Sequence, residues 1–284
     1  MRKKERKQPD FQTPTRAFLS EEKVLCEQLD SPPPHTYAMI THRSTMTSRF
    51  GQIMITRLLL LSVLLAGQSS LFAETPLRIA VASNYANALN KTVARYQAET
   101  GDTRTISVSI GSTGKLFAQI QGGAPFDLFL AADLERPQML AANSITLGPS
   151  QTYTTGRLVL WHPKHNTHGE LLEQIDRLAM ANPQLAPYGL AAKETLQYLN
   201  WQPPTARTLV TAENVGQVFA MVITGNADAG FVALSQVREH QVPSNQYWII
   251  DEHMHQPIEQ GAVLLENGAQ ATRAQAFLNF LLDE

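Results

Sequence analysis

Residues 77–130 read LRIAVASNYANALNKTVARYQAETGDTRTISVSIGSTGKLFAQIQGGAPFDLFL. The stretch opens on LRIAVA, Leu77 to Ala82, a short apolar run of strand character. Ser83 and Asn84 follow, and then Ala86, Leu89, Val93 and Tyr96 recur at helical spacing. Gly101 ends that helix. Ile106, Val108 and Ile110 alternate with polar residues, as in a strand. Gly111-Ser112-Thr113-Gly114 breaks it, Leu116 to Ile120 restart a helix, and Phe126 to Leu130 reads as a buried strand. Strand–helix–strand–helix–strand demands a parallel sheet with right-handed crossovers.

The pattern recurs downstream. Arg157 to Trp161 (RLVLW), Gly230 to Leu234 (GFVAL), Tyr247 to Ile250 and Gly261 to Leu265 (GAVLL) read as strands. Leu171, Leu172, Ile175 and Leu178 line an expected helix. Further helices are expected over Ala191 to Leu199, Val215 to Ile223 and Ala274 to Leu282. Two α/β lobes of roughly one hundred residues each fit this length, lobe 1 from residues 74–156 plus 252–284 and lobe 2 from 157–251.

Upstream, residues 58–66 read LLLLSVLLA, with Arg49 and Arg57 before them and a small-residue end at Ala73. Charged flank, short apolar core and small cleavage-site residue make a secretory signal peptide over 46–73. Residues 1–45 are polar and proline-bearing, and are read as a disordered leader or an over-long translation start. Beyond Ala73 the chain holds thirteen Lys and Arg against nineteen Asp and Glu, a net of -6. Its single cysteine, Cys26, lies in the leader. These features exclude a broadly basic nucleic-acid surface, an internal disulfide framework and any multi-cysteine metal site. An exported, periplasmic protein is expected.

Four helix starts carry small, hydroxyl or turn residues where backbone N–H groups are exposed: Ser83-Asn84, Gly111-Ser112-Thr113-Gly114, Pro187-Tyr188-Gly189 and Glu213-Asn214-Val215-Gly216. Unpaired amides and the positive end of a helix dipole suit an anion. Taken singly, each is more simply a helix cap or a common loop, and spacing alone does not bring them to one point.

The chain resembles the periplasmic molybdate-binding proteins that serve ABC importers. The resemblance is carried by AVASNYANAL (80–89), IGSTGKLFAQI (110–120), GGAPFDLFLAAD (122–133), GRLVLW (156–161), LAPYGLAAKETL (185–196), ENVGQV (213–218) and GNADAGFVALSQV (225–237), in the family's order and spacing. It implies a two-lobed type II periplasmic-binding-protein fold, each lobe a mainly parallel sheet flanked by helices, with an oxyanion held between them. Residue by residue it implies molybdate binding by Ser83, Asn84, Ser112 and Tyr188, and by Val215 through its backbone N–H. The family implies delivery to an inner-membrane ABC permease, a monomeric carrier and no cofactor. No metal is expected other than the molybdate oxyanion, through the same residues. Family members continue for one more helix beyond the segment matching Phe277 to Leu282, so an exposed apolar patch is expected on lobe 1.

Molybdate is a tetrahedral dianion that can only accept hydrogen bonds, so a site offering donors and no acceptors favours it over anions that keep a proton. Tungstate, of nearly equal size and charge, is expected to bind comparably. Sulfate or another oxyanion is the alternative ligand. Lys115, the one cation beside a motif, is expected to point to solvent. His162, His165 and His168 are read as a solvated loop rather than a metal site, and His253 and His255 as a polar bend. No Gly-x-Ser-x-Gly, HExxH or phosphate-loop motif occurs, so an enzyme on the same fold is the lesser alternative. A regulator's sensor domain would need a DNA-binding helix pair that the leader does not supply.

Overall fold

The computed structural model describes residues 75–164, 169–203 and 208–283. The expected leader (1–45), the expected signal peptide (46–73) and both His165 and His168 lie outside the described residues.

The first half of the chain alternates strand and helix: β1 (Leu77–Ala82), α1 (Ala86–Thr100), β2 (Ile106–Gly111), α2 (Thr113–Gln121), β3 (Leu128–Leu130), α3 (Glu135–Ala142) and β4 (Gln151–Gly156). The second follows with β5 (Leu158–Trp161), β6 (Arg177–Ala181), α4 (Pro187–Tyr198), β7 (Thr208–Ala212), α5 (Val215–Ile223), β8 (Ala229–Ala233), α6 (Leu234–Glu239) and β9 (Tyr247–Ile249). The chain then adds β10 (Ile258–Leu264) and α7 (Ala271–Leu282).

Two five-stranded sheets result, ordered β2-β1-β3-β10-β4 and β7-β6-β8-β5-β9. Each is parallel over three strands and antiparallel over the rest: β1 pairs parallel with β2 and β3, and β10 antiparallel with β3 and β4. The second sheet repeats this, β6 parallel with β7 and β8, β5 antiparallel with β8 and β9. The chain thus passes between the sheets twice, at Gly156–Leu158 and between Ile249 and Ile258. This is the type II periplasmic-binding-protein fold, with two mixed sheets flanked by helices.

Central strands such as LFL (β3), LVLW (β5) and AGFVA (β8) are buried throughout, as expected of strands covered on both faces. Along β1 the side chains alternate: Leu77, Ile79 and Val81 pack with Leu89, Tyr96 and Phe277, while Ala80 joins Leu116, Ile120 and Phe129 on the other face. Tyr96 meets Phe277 and Phe280 edge-on at 5.1 and 5.3 Å, tying α7 to α1. Arg273 completes that tie. Its guanidinium donates to Asp102 Oδ2 (2.8 Å), Thr105 O (3.0 Å) and Arg104 O (2.8 Å), saturating the loop that follows Gly101. None of the exposed large apolar side chains among the described residues lies on α7; on the first sheet's side they are Ile110, on the edge strand β2, and the scattered Met139 and Leu147.

One expected helix is replaced. Gly169–Gln174 is a short 3-10 turn and Leu178 belongs to β6. Leu178 pairs with Leu209 and Ala229 on its two sides, so tertiary pairing overrides a helical spacing that was fortuitous. His162 is also corrected: it is 5% exposed, with its N–H bonded to Gln246 O and its Nδ1 accepting from Lys164 N–H. It ends a fully buried strand, which draws it inward. Strands β4 and β7 and helices α3 and α6 were not anticipated, β4 because QTYTTG is a polar edge strand.

Candidate functional site

The equivalent strand orders place the four helix starts equivalently. β1 and β2 end at Ala82 and Gly111, ahead of α1 and α2; β6 and β7 end at Ala181 and Ala212, ahead of α4 and α5. All four strands therefore present their carboxyl ends, where ligands settle in open α/β sheets. Asn214 caps α5 by accepting from Gln217 N–H at 3.0 Å, and Pro187 opens α4. The first-turn amides of these helices have no carbonyl of their own helix to meet.

The two sides meet face to face. Gly216 N–H donates to Ser83 Oγ at 3.2 Å, Gly114 N–H to Leu185 O at 2.8 Å, and Arg136 to Gln184 O at 2.9 Å. Ser235 Oγ donates to Asn84 O at 3.0 Å. Lys115 stays half-exposed, as expected, and its Nζ also lies 2.8 Å from Glu213 Oε2. The reason is that Glu213, just ahead of α5, arrives at the first turn of α2. The Lys115 hydrogen bond is the main reason that Glu213's carboxyl titrates below the usual range, with Asn214 and the Ser112 amide as further donors and burial opposing.

Asn84, Ser112, Tyr188 and Val215 are all buried. Ser83 and Asn84 come together with Gly216 and Tyr188 across the interface, and Ser112 lies beside Glu213. The hydroxyls share a pattern. Ser83 Oγ accepts Gly216 N–H, and Ser112 Oγ, the cap of α2, accepts Lys115 N–H at 3.4 Å. A hydroxyl whose oxygen already holds an N–H keeps its own proton to donate. Tyr188 is buried beside Gln260, its hydroxyl and the Gln260 amide nitrogen both facing the bare backbone of Gly156. Burial pushes this phenol's pKa up, and the nearby Gln260 and Asn84 amides pull the other way. It stays protonated.

Gln260 and Tyr153 were missed from sequence. Gln260 is 2% exposed in the buried strand β10. Asn84 Nδ2 donates to its Oε1 at 2.8 Å, and the Tyr153 hydroxyl lies 3.0 Å from the same atom. An amide at an inward position of IEQGAVL, whose one other polar residue is the exposed Glu259, was the available signal.

Among the described residues, no three His, Cys, Asp or Glu side chains are grouped to hold a metal ion. His253 packs edge-on to Tyr198, and the His255 ring bonds Gln256 O. A cavity of about 250 Å³ opens nearby on Asp133, Arg136, Pro187 and Glu194. Its carboxylates, Glu135 and Glu259 included, oppose an anion, and none of the five expected binding residues lines it.

Comparison with known proteins follows this geometry. The molybdate-binding protein ModA of Azotobacter vinelandii is 36% identical over 211 residues, covering 72% of this chain and 83% of its own. ModA of Rhodobacter capsulatus is 36% identical over 207 residues, covering 71% and 81%. The solved periplasmic molybdate-binding protein of Azotobacter vinelandii superposes with a TM-score of 0.68 at 32% identity, over 72% of this chain and 92% of that one. These relatives are transport binding proteins rather than enzymes. The model of the bacterial extracellular solute-binding proteins matches residues 77–284, the span that holds both sheets and all four helix starts, and the chain belongs to that family.

Proposed function

We propose that the protein is the molybdate-binding component of an ABC importer, working in the periplasm after removal of the segment through Ala73. The observation that carries this reading is the polarity of the cleft: two hydroxyls, Ser83 and Ser112, each with its oxygen already taken by an N–H of the protein, stand with the buried Tyr188 phenol among the starts of four helices. Such a site offers donors to a guest that can only accept. The relatives named for molybdate support the choice of guest.

In this reading Ser83, Ser112 and Tyr188 donate through their hydroxyls and Val215 through its main chain. Asn84 donates through its main-chain N–H, because its side-chain amide N–H is engaged with Gln260. Four helix ends at about half a positive charge each approach the dianion's charge, and the nearby Lys115 is neutralised by Glu213. Lobe 1 supplies three of these donors and lobe 2 the other two, so the guest stabilises the closed form by its differential affinity for that form. A membrane permease then recognises the closed pair. The fold, like that of the relatives, serves capture and release rather than catalysis.

Calorimetry of the purified protein with molybdate, tungstate, sulfate and phosphate tests the proposal. Micromolar or tighter molybdate binding is expected, with tungstate comparable and sulfate undetectable; equal affinity for all four refutes the selectivity. Ser112→Ala should weaken molybdate binding by about 1–3 kcal/mol, since a desolvated charge loses a donor. Unaltered affinity in that variant removes Ser112 from the site.

A further inference from the structure

A doubly negative guest attracts cations and repels carboxylates, so a carboxylate standing among the helix starts calls for a reason. We infer that Glu213 is a positioning residue that holds Lys115 in an ion pair across the cleft and so withholds a full positive charge from the bound anion. This rests on the reading of the cleft as a molybdate site.

Lys115 is the one Lys or Arg in the first turns of the four helices that begin at the cleft, α1, α2, α4 and α5. Its main-chain N–H donates to Ser112 Oγ at 3.4 Å, so its side chain leaves the backbone within one turn of an expected donor. The flexible four-carbon stem of a lysine can carry its ammonium toward a guest from such a place. Glu213 takes it instead. This residue directly precedes Asn214, the cap of α5, and its Oε2 lies 2.8 Å from Lys115 Nζ. Its own place is fixed by the helix start: the Glu213 main-chain N–H donates to Gln217 Oε1 at 2.9 Å, and Gln217 N–H donates to Asn214 Oδ1 at 3.0 Å.

The arrangement recurs along the seam. Lys91 of α1 meets Glu239 of α6 at 2.8 Å. Arg136, which donates across the seam to Gln184 O at 2.9 Å, is paired with Asp133. Each of these cations has its own carboxylate, so a change at Glu213 uncovers Lys115 alone.

Magnitudes separate this role from that of a simple latch between the halves. The side chains of Lys115 and Glu213 are 52% and 29% exposed, and ion pairs so exposed shift an equilibrium by less than about fivefold. Removing one member leaves the other's whole charge beside a dianion, and the guest's double charge doubles that interaction. The ammonium's attraction and the carboxylate's repulsion oppose one another while the pair is intact. Selection of the guest is then left to the neutral donors, and no uncovered cation holds the cargo back from release.

Calorimetry with sodium molybdate on the full-length chain tests the inference, using Glu213→Gln, Lys115→Met and the two together. Glutamine keeps the shape of glutamate and drops its charge, and the bond from position 213 to Gln217 is made by the main chain, so α5 keeps its start. At about 20 mM salt, Glu213→Gln should tighten molybdate binding about fivefold and Lys115→Met should weaken it about fivefold. The double variant should bind within about twofold of the unsubstituted protein. At about 0.5 M sodium chloride both single effects should shrink to about twofold or less. A latch weakens binding in both single variants, and that result overturns the inference. So does an unchanged affinity in Glu213→Gln, or a gain that the added salt leaves undiminished. Failure of the unsubstituted protein to bind molybdate strikes the functional reading instead.

Discussion

Gly114→Ala separates closure from folding. Gly114 lies in the first turn of α2, where the two halves touch. A Cβ there would sit 3.0 Å from Leu185 O, 3.1 Å from Leu185 Cα and 3.4 Å from Arg136 Nη2. Relaxed contacts of carbon lie near 3.5 Å or beyond, so the halves must recede by roughly half an ångström at this point. The Gly114 N–H to Leu185 O bond, now 2.8 Å, would stretch past the usual limit of about 3.2 Å and lose most of its net worth of about 1 kcal/mol. With residual crowding, the closed form loses about 1.5 kcal/mol, and molybdate affinity should fall about tenfold. In any more open arrangement the methyl meets nothing from the other half, and alanine suits a helix better than glycine by up to about 1 kcal/mol. The melting temperature without ligand should therefore hold or rise. Calorimetry paired with thermal melts, with and without molybdate, checks both arms. Unchanged affinity would show that the halves do not meet at Gly114 when loaded. A fall in the unliganded melting temperature would show that the methyl disturbs α2 itself.

Three further outcomes are expected. Arg273→Met removes the buried partner of Asp102, whose side chain is 8% exposed. It should cost about 3 kcal/mol and lower the melting temperature by roughly 6–12 °C, with molybdate affinity in the folded protein unchanged. Arg104 and Arg273 together hold the Asp102 carboxyl well below the usual carboxylate range, the Arg104 hydrogen bond first. That contribution is complete above the unfolded value of about 3.9 and drains away as pH falls through the lower folded value. Asp102→Asn should therefore flatten the acid limb of a melting-temperature profile below about pH 4. Asn214→Ala removes the cap of α5 and should cost about 1 kcal/mol in thermal stability, with a parallel loss of affinity if the Val215 amide binds the anion. Intact affinity would detach α5 from the site.

What could be read in the sequence was what local chemistry determines. Residues 77–130 announce β1 through β3 because Gly101 ends one helix, GSTG interrupts the next strand, and the apolar runs are too short for anything but strands. The helix starts were legible for the same reason, since caps are local. Leu178 was misread because a short strand flanked by leucines mimics a helical stripe, and only its pairing with Leu209 and Ala229 decides. The Lys115–Glu213 ion pair went unread because its members lie 98 residues apart, and Gln260 was passed over because Asn84 is 176 away. No spacing rule connects such pairs. They exist only once the two sheets are brought together.

Burial lifts the Tyr153 and Tyr188 phenols above their ordinary value, serine does not ionise in water's range, and Glu213 gives up its proton more readily than usual. A carrier outside the cytoplasmic membrane meets whatever acidity its surroundings impose. With Tyr153, Tyr188 and Glu213 each keeping one charge from mildly sour to mildly alkaline media, the proposed grip would outlast a drifting environment, and the amount carried would depend on supply.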